Sequence, residues 1–187
     1  MIKSLRFDPK SDIISITIMK KLFYPVKFLL FNGVTIAFLV LVYTKTALAQ
    51  VFFTNDGATV TLTPGSFIYV QGSVVNQDSG TFDNSGTIIF TGDWTNNAGN
   101  SAFINSSPGL VVLSGDTQNI QGTSVTKFYD LSLQGTGVKA LKTDAIVEDS
   151  LALNDRELAT DSFTMFVTST DTGAVTRTTG FVSSLGI

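Results

Sequence analysis

From Gln50 onward, short apolar runs alternate with polar segments that are rich in Thr, Ser, Gly and Asn. The runs contain β-branched and aromatic residues, which suit the pleated, half-buried surface of a strand. Gly, Asn and Asp between the runs are typical of turns. The clearest runs are Phe67–Val70, Ile88–Phe90, Leu110–Leu113 and Phe163–Val167. No apolar pattern of helical period lasts three turns, so the pattern predicts an all-β domain, with helix confined to short pieces near Thr143–Asp149.

The spacing of these segments repeats. Val70–Asn76 aligns with Phe90–Asn96 at an offset of 20. Asn84–Asp93 aligns with Asn105–Asp116 at an offset of 21 that becomes 23 after a two-residue insertion. Leu131–Leu133 recurs as Leu151–Leu153, again at an offset of 20. Regular self-similarity of this length is the signature of a stacked-repeat architecture.

A period of about 20–23 residues, with short strands and Gly/Asn turns in each unit, predicts one rung of a parallel β-solenoid. A single rung cannot bury its apolar side chains, whereas stacked rungs align like residues into internal ladders. We expect Val75, Ile89, Val112 and Leu133 to form such ladders. Asn76 and Asn96 occupy equivalent turn positions, where they either bond their amides from rung to rung or serve as ordinary turn residues. An antiparallel β-sandwich is the alternative fold.

The first 49 residues differ in character from the rest of the chain. They carry seven basic and two acidic residues, and residues 28–44 form an uncharged, mostly apolar run. Ala47 and Ala49 supply the small side chains of a signal-peptidase site, which predicts a secretory signal peptide cleaved between Ala49 and Gln50. Met19 offers an alternative start. If the site is not cleaved, the 28–44 segment would anchor the chain in a membrane.

Charge and composition exclude several classes of function. Residues 50–187 carry five basic and thirteen acidic side chains, a formal net charge of −8. This charge repels phosphate, so we expect no nucleic-acid partner. The chain has no Cys and no His, which excludes disulfides, Cys–His pairs, Ser–His–Asp triads and thiolate or imidazole metal sites. We predict no cofactor and no resident metal.

Acidic residues are the remaining candidates for chemistry. Asp155 and Glu157 are two residues apart, and Asp144, Glu148 and Asp149 lie just upstream. Some β-helices act on acidic polysaccharides with such carboxylates and nearby cations, here Lys139, Lys142 and Arg156. The simpler interpretation is a solvated charged face, and we predict that the protein is not an enzyme.

Two further features have a functional and a structural interpretation. Oxygen ligands for calcium occur in the loops Asn55–Gly57, Asp78–Gly80 and Asp83–Gly86, but Asx turns explain these residues without an ion. Trp94 is a sugar-stacking candidate if it points outward. Its equivalence to Val74 in the preceding repeat favours the core.

One segment resembles a recurring unit of secreted Bacteroidetes-type surface proteins. It contains Ser114–Gly122, with Gln118-x-Ile120-x-Gly122, and then Phe128-Tyr129-x-Leu131-x-Leu133. Residues 158–167 and 173–182 are similar to the segments that come after that unit in those proteins. The resemblance as a whole covers about residues 84–187. It implies a β-helical, adhesin-like chain exported by type IX secretion, and it brings no catalytic residues. The chain ends at Ile187 without a sorting domain, so we expect the repeat domain to be incomplete there.

These observations predict a structural or adhesion-type protein that is secreted or displayed on the outer cell surface, with a periplasmic location as the alternative. A module that binds glycans or matrix is the alternative function, followed by a polysaccharide-active β-helix enzyme. Surface glycans or matrix are the expected partners. Contact with a membrane is expected only through the signal segment. An uncapped solenoid end also favours end-to-end self-association.

Overall fold

The structure is a computed structural model that describes residues 51–100, 102–104 and 108–184. The signal-peptidase residues Ala47, Ala49 and Gln50 and the 28–44 run lie outside these residues. The described residues form short strands joined by turns. The strands are β1 Val51–Asp56, β2 Thr59–Leu62, β3 Phe67–Val70, β4 Gly72–Gln77, β5 Thr81–Asn84, β6 Thr87–Phe90, β7 Trp94–Asn96, β8 Leu110–Leu113, β9 Gln118–Gly122, β10 Thr126–Phe128, β11 Asp130–Leu133, β12 Lys139–Leu141, β13 Ala145–Val147, β14 Leu151–Ala152, β15 Glu157–Ala159, β16 Met165–Val167, β17 Val175–Thr176 and β18 Phe181–Ser183.

The strands lie on three faces, and every pairing among them is parallel. Face A is a sheet in the order β1-β4-β7-β9-β12-β15-β18. Face C is a sheet in the order β3-β6-β8-β11-β14-β17. Face B contains β2-β5 and β10-β13-β16, and Phe103 pairs with Phe82 of β5 on the same face. The chain visits faces A, B and C in that order, turn after turn.

This arrangement is a β-solenoid of about six turns, so the predicted fold is confirmed and the antiparallel sandwich is wrong. The predicted repeats are the observed registers. Val70 pairs with Phe90, Asn76 with Asn96, and Leu131 with Leu151. The third turn is longer than predicted, since Trp94 pairs with Ile120 and Thr95 with Gln121, at an offset of 26.

The segment 143–149, where the sequence allowed a short helix, is not helical. Its centre is the strand β13, which pairs with β10 and β16 on face B. Ala145 and Val147 point into the core from this strand, and that alternation is the strand period rather than the helical one. Among the described residues, no helix has the length and apolar character that a membrane span requires.

Inward and outward residues alternate along each strand, and inward residues stack into ladders along the solenoid. Leu133 lies in the core, as predicted. The prediction was wrong for Val75 and Ile89, which are only half-buried because their neighbours Val74 and Ile88 take the inward positions. Val112 pairs with Ile89, so it belongs to the same outer row, although it is buried. Where two apolar residues are adjacent in the sequence, the pattern does not show which of them points into the core.

The Asn positions form a buried row at the end of face A. Asn55, Asn76 and Asn96 are in register and at most 3% exposed. The Asn55 amide Nδ2 donates to the Asn76 Oδ1 at 2.9 Å, which is a rung-to-rung bond. Asn76 and Asn96 also donate to carbonyls of their own turns, at Gly80 and Gly99. Both predicted roles are therefore present in the same row.

Candidate functional site

Trp94 lies in the interior of the solenoid and is not a surface sugar-stacking residue. It is fully buried, and its ring centroid is 5.1 Å from that of Phe103 and 5.7 Å from that of Phe82. Phe90 and Phe128 complete an aromatic cluster that spans neighbouring turns. The indole Nε1 donates to the Thr126 hydroxyl at 2.8 Å, so the buried polar atom is satisfied.

Asp155 and Glu157, the two carboxylates considered as candidates for chemistry, bond to different partners. Asp155 forms an ion pair with its neighbour Arg156, which lowers the pKa of the Asp155 carboxyl. The Glu157 carboxylate instead accepts a hydrogen bond from the Ser183 hydroxyl at 2.6 Å on the next strand of face A. Each of the two carboxyl groups therefore has a partner of its own within the solenoid.

The remaining acidic candidates join neighbouring turns. Asp144 accepts from the Thr164 backbone N–H at 2.8 Å. Glu148 pairs with Lys127 at 2.8 Å between β13 and β10. A similar bond joins Asp130 to the backbone N–H of Ser150. These carboxylates bond to backbone N–H groups and to a lysine of the adjacent turn, so they stabilise the stacking of the turns.

Gln118 of the Gln-x-Ile-x-Gly motif holds a corner of the solenoid together. Its side chain is fully buried. The Oε1 accepts from the Gly115 N–H at 2.7 Å, and the Nε2 donates to the Phe90 and Gly92 carbonyls of the preceding turn. Within the same motif, Ile120 is fully buried in the core. The sequence showed the motif but not this role.

Lys139 occupies the position of Gln118 in the next turn, because the two residues are paired in register. Its Nζ donates to the carbonyls of Gly115, Asp116 and Thr136, and the residue is fully buried. Burial disfavours the ammonium and, with the nearby Arg156 charge, lowers the pKa of Lys139 to about 8. Lys139 was predicted as a cation on a solvated or substrate-binding face, and this prediction was wrong because the side chain is buried. Gln118 and Lys139 each hydrogen-bond to backbone groups of the preceding turn at a corner of the solenoid, and we call such a side chain a corner clasp.

The loops with calcium-type ligands are built as turns. The Asn55 Oδ1 accepts from the Ala58 N–H, and the Asn84 Oδ1 accepts from the Gly86 N–H. These are the Asx-turn bonds expected without an ion. Asp56 and Asp78 lie close together, and the hydrogen bond and charge of Asp56 raise the pKa of Asp78. Within the described ranges, no group of three or more carboxylates is arranged to hold a metal ion.

Face C presents two exposed aromatic side chains that the sequence analysis did not single out. Phe67 and Tyr69 lie two residues apart on β3, at 71% and 56% exposure. Since alternate residues of a strand share a face, both rings project from the same side of the sheet. Ile89 and Val112 continue the row that Tyr69 begins. Outward apolar positions in neighbouring turns could have indicated this surface.

A second apolar surface lies at the end of the solenoid where β16, β17 and β18 are found. A cavity of about 300 Å³ opens there. Its walls include Leu158, Phe163, Met165, Val167 and Val182. Phe163, Met165 and Val167 pack against the core but are only partly buried. The cavity is thus the interior of the last turn, which the described residues leave partly uncovered.

The chain matches no family model, no curated protein and no solved structure.

Proposed function

We propose that this chain is a structural, adhesion-type β-solenoid that is secreted or displayed at the cell surface and has no catalytic activity. The observation that carries this proposal is the use of its polar side chains. Gln118, Lys139 and Asp144 bond to backbone groups of neighbouring turns, rather than meeting around a cleft. Such bonds stiffen a rod, and a stiff rod suits a spacer or an adhesive stalk.

Export is tested with the N-terminal segment. The chain expressed from Met1 in an exporting bacterial host should lose residues 1–49 and begin at Gln50. Ala49→Phe should block this cleavage, because signal peptidase requires a small side chain at that position. Leu48→Phe is the control, since that position is not restricted in the same way. An uncleaved chain retained in the cytoplasm would contradict the proposal of export.

Adhesion is tested by display. Cells that carry the full chain on their outer surface should adhere to a glycan- or matrix-coated plate more strongly than cells that carry an unrelated β-rich domain. Gln118→Leu, which removes the corner clasp, should reduce adhesion only as far as it reduces the amount of folded chain. Equal adhesion of the two cell types on every coating would contradict an adhesive role.

A module that binds glycans through face C is the second candidate function, and the exposed rings of Phe67 and Tyr69 favour it. Flat aromatic rings stack on the apolar faces of sugars, and a pair on one sheet surface offers two such contacts. Binding of the exported chain to a glycan array should weaken about tenfold for Tyr69→Ala. Phe166→Ala is the matched control, because Phe166 is similarly exposed but lies on face B. Retention of no glycan by the wild-type chain would rule this function out.

A polysaccharide-active enzyme remains the third alternative from the sequence, and the arrangement of its candidate carboxylates does not favour it. A broad panel of acidic polysaccharides incubated with the exported chain tests it directly. We expect no cleavage. Cleavage that Asp155→Asn abolishes would overturn the proposal of a non-catalytic protein.

A further inference from the structure

The outward surface of face C changes from apolar to acidic along the solenoid. Phe67 of β3, Thr87 of β6, Leu110 of β8 and Asp130 of β11 are paired in register, so they form one row that runs along the axis. Three strand spacings of about 4.8 Å place the backbones of Phe67 and Asp130 roughly 14 Å apart. A row that begins with an exposed aromatic ring therefore reaches a carboxylate on the same side of the sheet.

The Asp130 carboxylate is held in place but is not neutralised by a cation of its own sheet. Its Oδ1 accepts from the backbone N–H of Ser150 at 3.0 Å and also from the Ser150 hydroxyl. Both of these bonds end on Oδ1. The strands of face C contain neither Lys nor Arg. Asp130 thus gives face C a fixed negative charge beside the apolar Leu110.

The surrounding part of the chain is anionic as well. Residues 50–126 contain five Asp and neither Lys nor Arg. Among the cations that follow, Lys127, Lys142 and Arg156 form ion pairs with carboxylates, and Lys139 is buried. A ligand with carboxylate or sulfate groups would therefore be repelled from face C, whereas a ligand with positive charges would be attracted.

We infer that face C binds a cationic glycan, built of amino sugars that carry ammonium groups, and that this glycan lies along the solenoid axis. Its sugar rings would stack on Phe67 and Tyr69, and one ammonium group would pair with Asp130. Attraction between ammonium groups and the faces of the exposed rings adds to the same contact. This inference rests on the proposed glycan-binding function of face C and specifies the charge and the orientation of the glycan.

The middle of a paired sheet favours a glycan over a basic peptide. The backbone groups of β6 and β8 bond to strands on both sides, so they are not open to a peptide strand. Addition of a strand requires an open edge, and binding of a helix requires a groove. A sugar ring requires a flat aromatic surface and a polar group beside it, and face C offers both.

Two oligosaccharides that differ in charge test the ligand class. A glucosamine oligomer and its N-acetylated counterpart of equal length share one backbone, but only the first carries ammonium groups at mildly acidic pH. The chain expressed from Met1 and purified from an exporting host should bind the glucosamine oligomer about tenfold more tightly in isothermal titration calorimetry. This preference should shrink as the salt concentration rises. Tyr69→Ala should weaken the binding of both oligomers by a similar factor, because stacking does not require the charge.

Substitution of the carboxylate tests the orientation. Asp130→Asn should remove most of the preference for the glucosamine oligomer and leave the affinity for the N-acetylated oligomer unchanged, which also shows that the variant is folded. Asp144→Asn is the matched control and should keep the preference. Asp144 also accepts a backbone N–H of the next turn, but it precedes β13 on face B.

The outcomes separate this inference from the function on which it rests. Equal affinity for the two oligomers, or a preference that Asp130→Asn leaves intact, would overturn the inference and leave glycan binding by face C standing. Retention of no glycan of any charge would remove the glycan-binding function itself. An oligolysine of matched charge should bind about tenfold more weakly than the glucosamine oligomer. Equally tight binding of oligolysine that depends on Asp130 would replace the glycan with a basic peptide.

Discussion

At the scale of single residues, the corners of this solenoid depend on a few buried polar side chains. Gln118 and Lys139 occupy the same register position in successive turns, and each reaches back to carbonyls of the turn before it. A buried carbonyl without a partner costs free energy, so these side chains stabilise corners that apolar packing alone would leave unsatisfied. Among the described residues, no buried side-chain nitrogen or oxygen lacks a partner.

Replacement of Gln118 should show how much its side-chain hydrogen bonds contribute to the free energy of unfolding. Gln118→Leu keeps a similar volume but leaves the Gly115 N–H and the Gly92 carbonyl without their side-chain partner. We expect the free energy of unfolding to fall by about 2 kcal/mol in urea denaturation. The same substitution at the exposed Gln134 should change it by no more than about 0.5 kcal/mol. Equal effects at the two sites would contradict the role of Gln118.

The lowered pKa of Lys139 predicts that the folded chain becomes more stable at alkaline pH. Its pKa is about 8 in the folded chain and near 10.5, the ordinary value, when the chain is unfolded. Between these values the unfolded state binds the additional proton, so the free energy of unfolding rises with pH in this window and loses that contribution as pH falls through 8. Urea midpoints of wild type and Lys139→Met should therefore differ more in favour of wild type at pH 10 than at pH 7. A difference that is independent of pH would contradict the lowered pKa.

At the scale of the strands and turns, the sequence predicted the period of most turns, but it did not predict which residues of a strand point inward. The predicted offset of 20 is the register between β4 and β7 on face A, and the offset of 23 is the register between β6 and β8 on face C. The orientation of Val74-Val75 and Ile88-Ile89 could not be predicted, because both members of each pair are apolar. The position of Trp94 in the core followed from its equivalence to Val74. The hydrogen bonds of Gln118 and Lys139 could not be recognised before the register was known, since their partners lie in adjacent turns.

Two turns pack closely at the corner that contains Gly122, so we expect a side chain at this position to lower the stability of the fold. Gly122 has φ +128°, and a Cβ there would lie well inside van der Waals contact with the backbone oxygen of Asn96 in the preceding turn. Gly122→Ala should lower the free energy of unfolding by about 3 kcal/mol, from backbone strain and steric overlap. Gly173→Ala is the control, because its Cβ would meet open space. Thermal denaturation of both variants measures the difference, and a Gly122→Ala chain as stable as wild type would contradict the corner geometry.

At the scale of the whole molecule, the solenoid places different kinds of side chain in its interior, at its corners and on its faces. The interior carries the aromatic and aliphatic ladders, and the corners carry polar clasps. Face C carries exposed aromatic rings, and an apolar cavity opens at the turn that contains β16, β17 and β18. This distribution of side chains is compatible with the proposed scaffold or adhesive role.

In the solenoid, each turn lies one rung above the turn before it, in parallel register. Disulfide trapping tests it most directly, because the chain has no cysteine of its own. Thr59 and Thr81 are paired in register with their hydroxyls 3.0 Å apart, so Thr59→Cys/Thr81→Cys should form an intramolecular disulfide under mild oxidation. Thr59→Cys/Asp83→Cys, displaced by two residues, should remain reduced. A disulfide in the displaced pair, or none in the aligned pair while the chain is folded, would contradict the solenoid register.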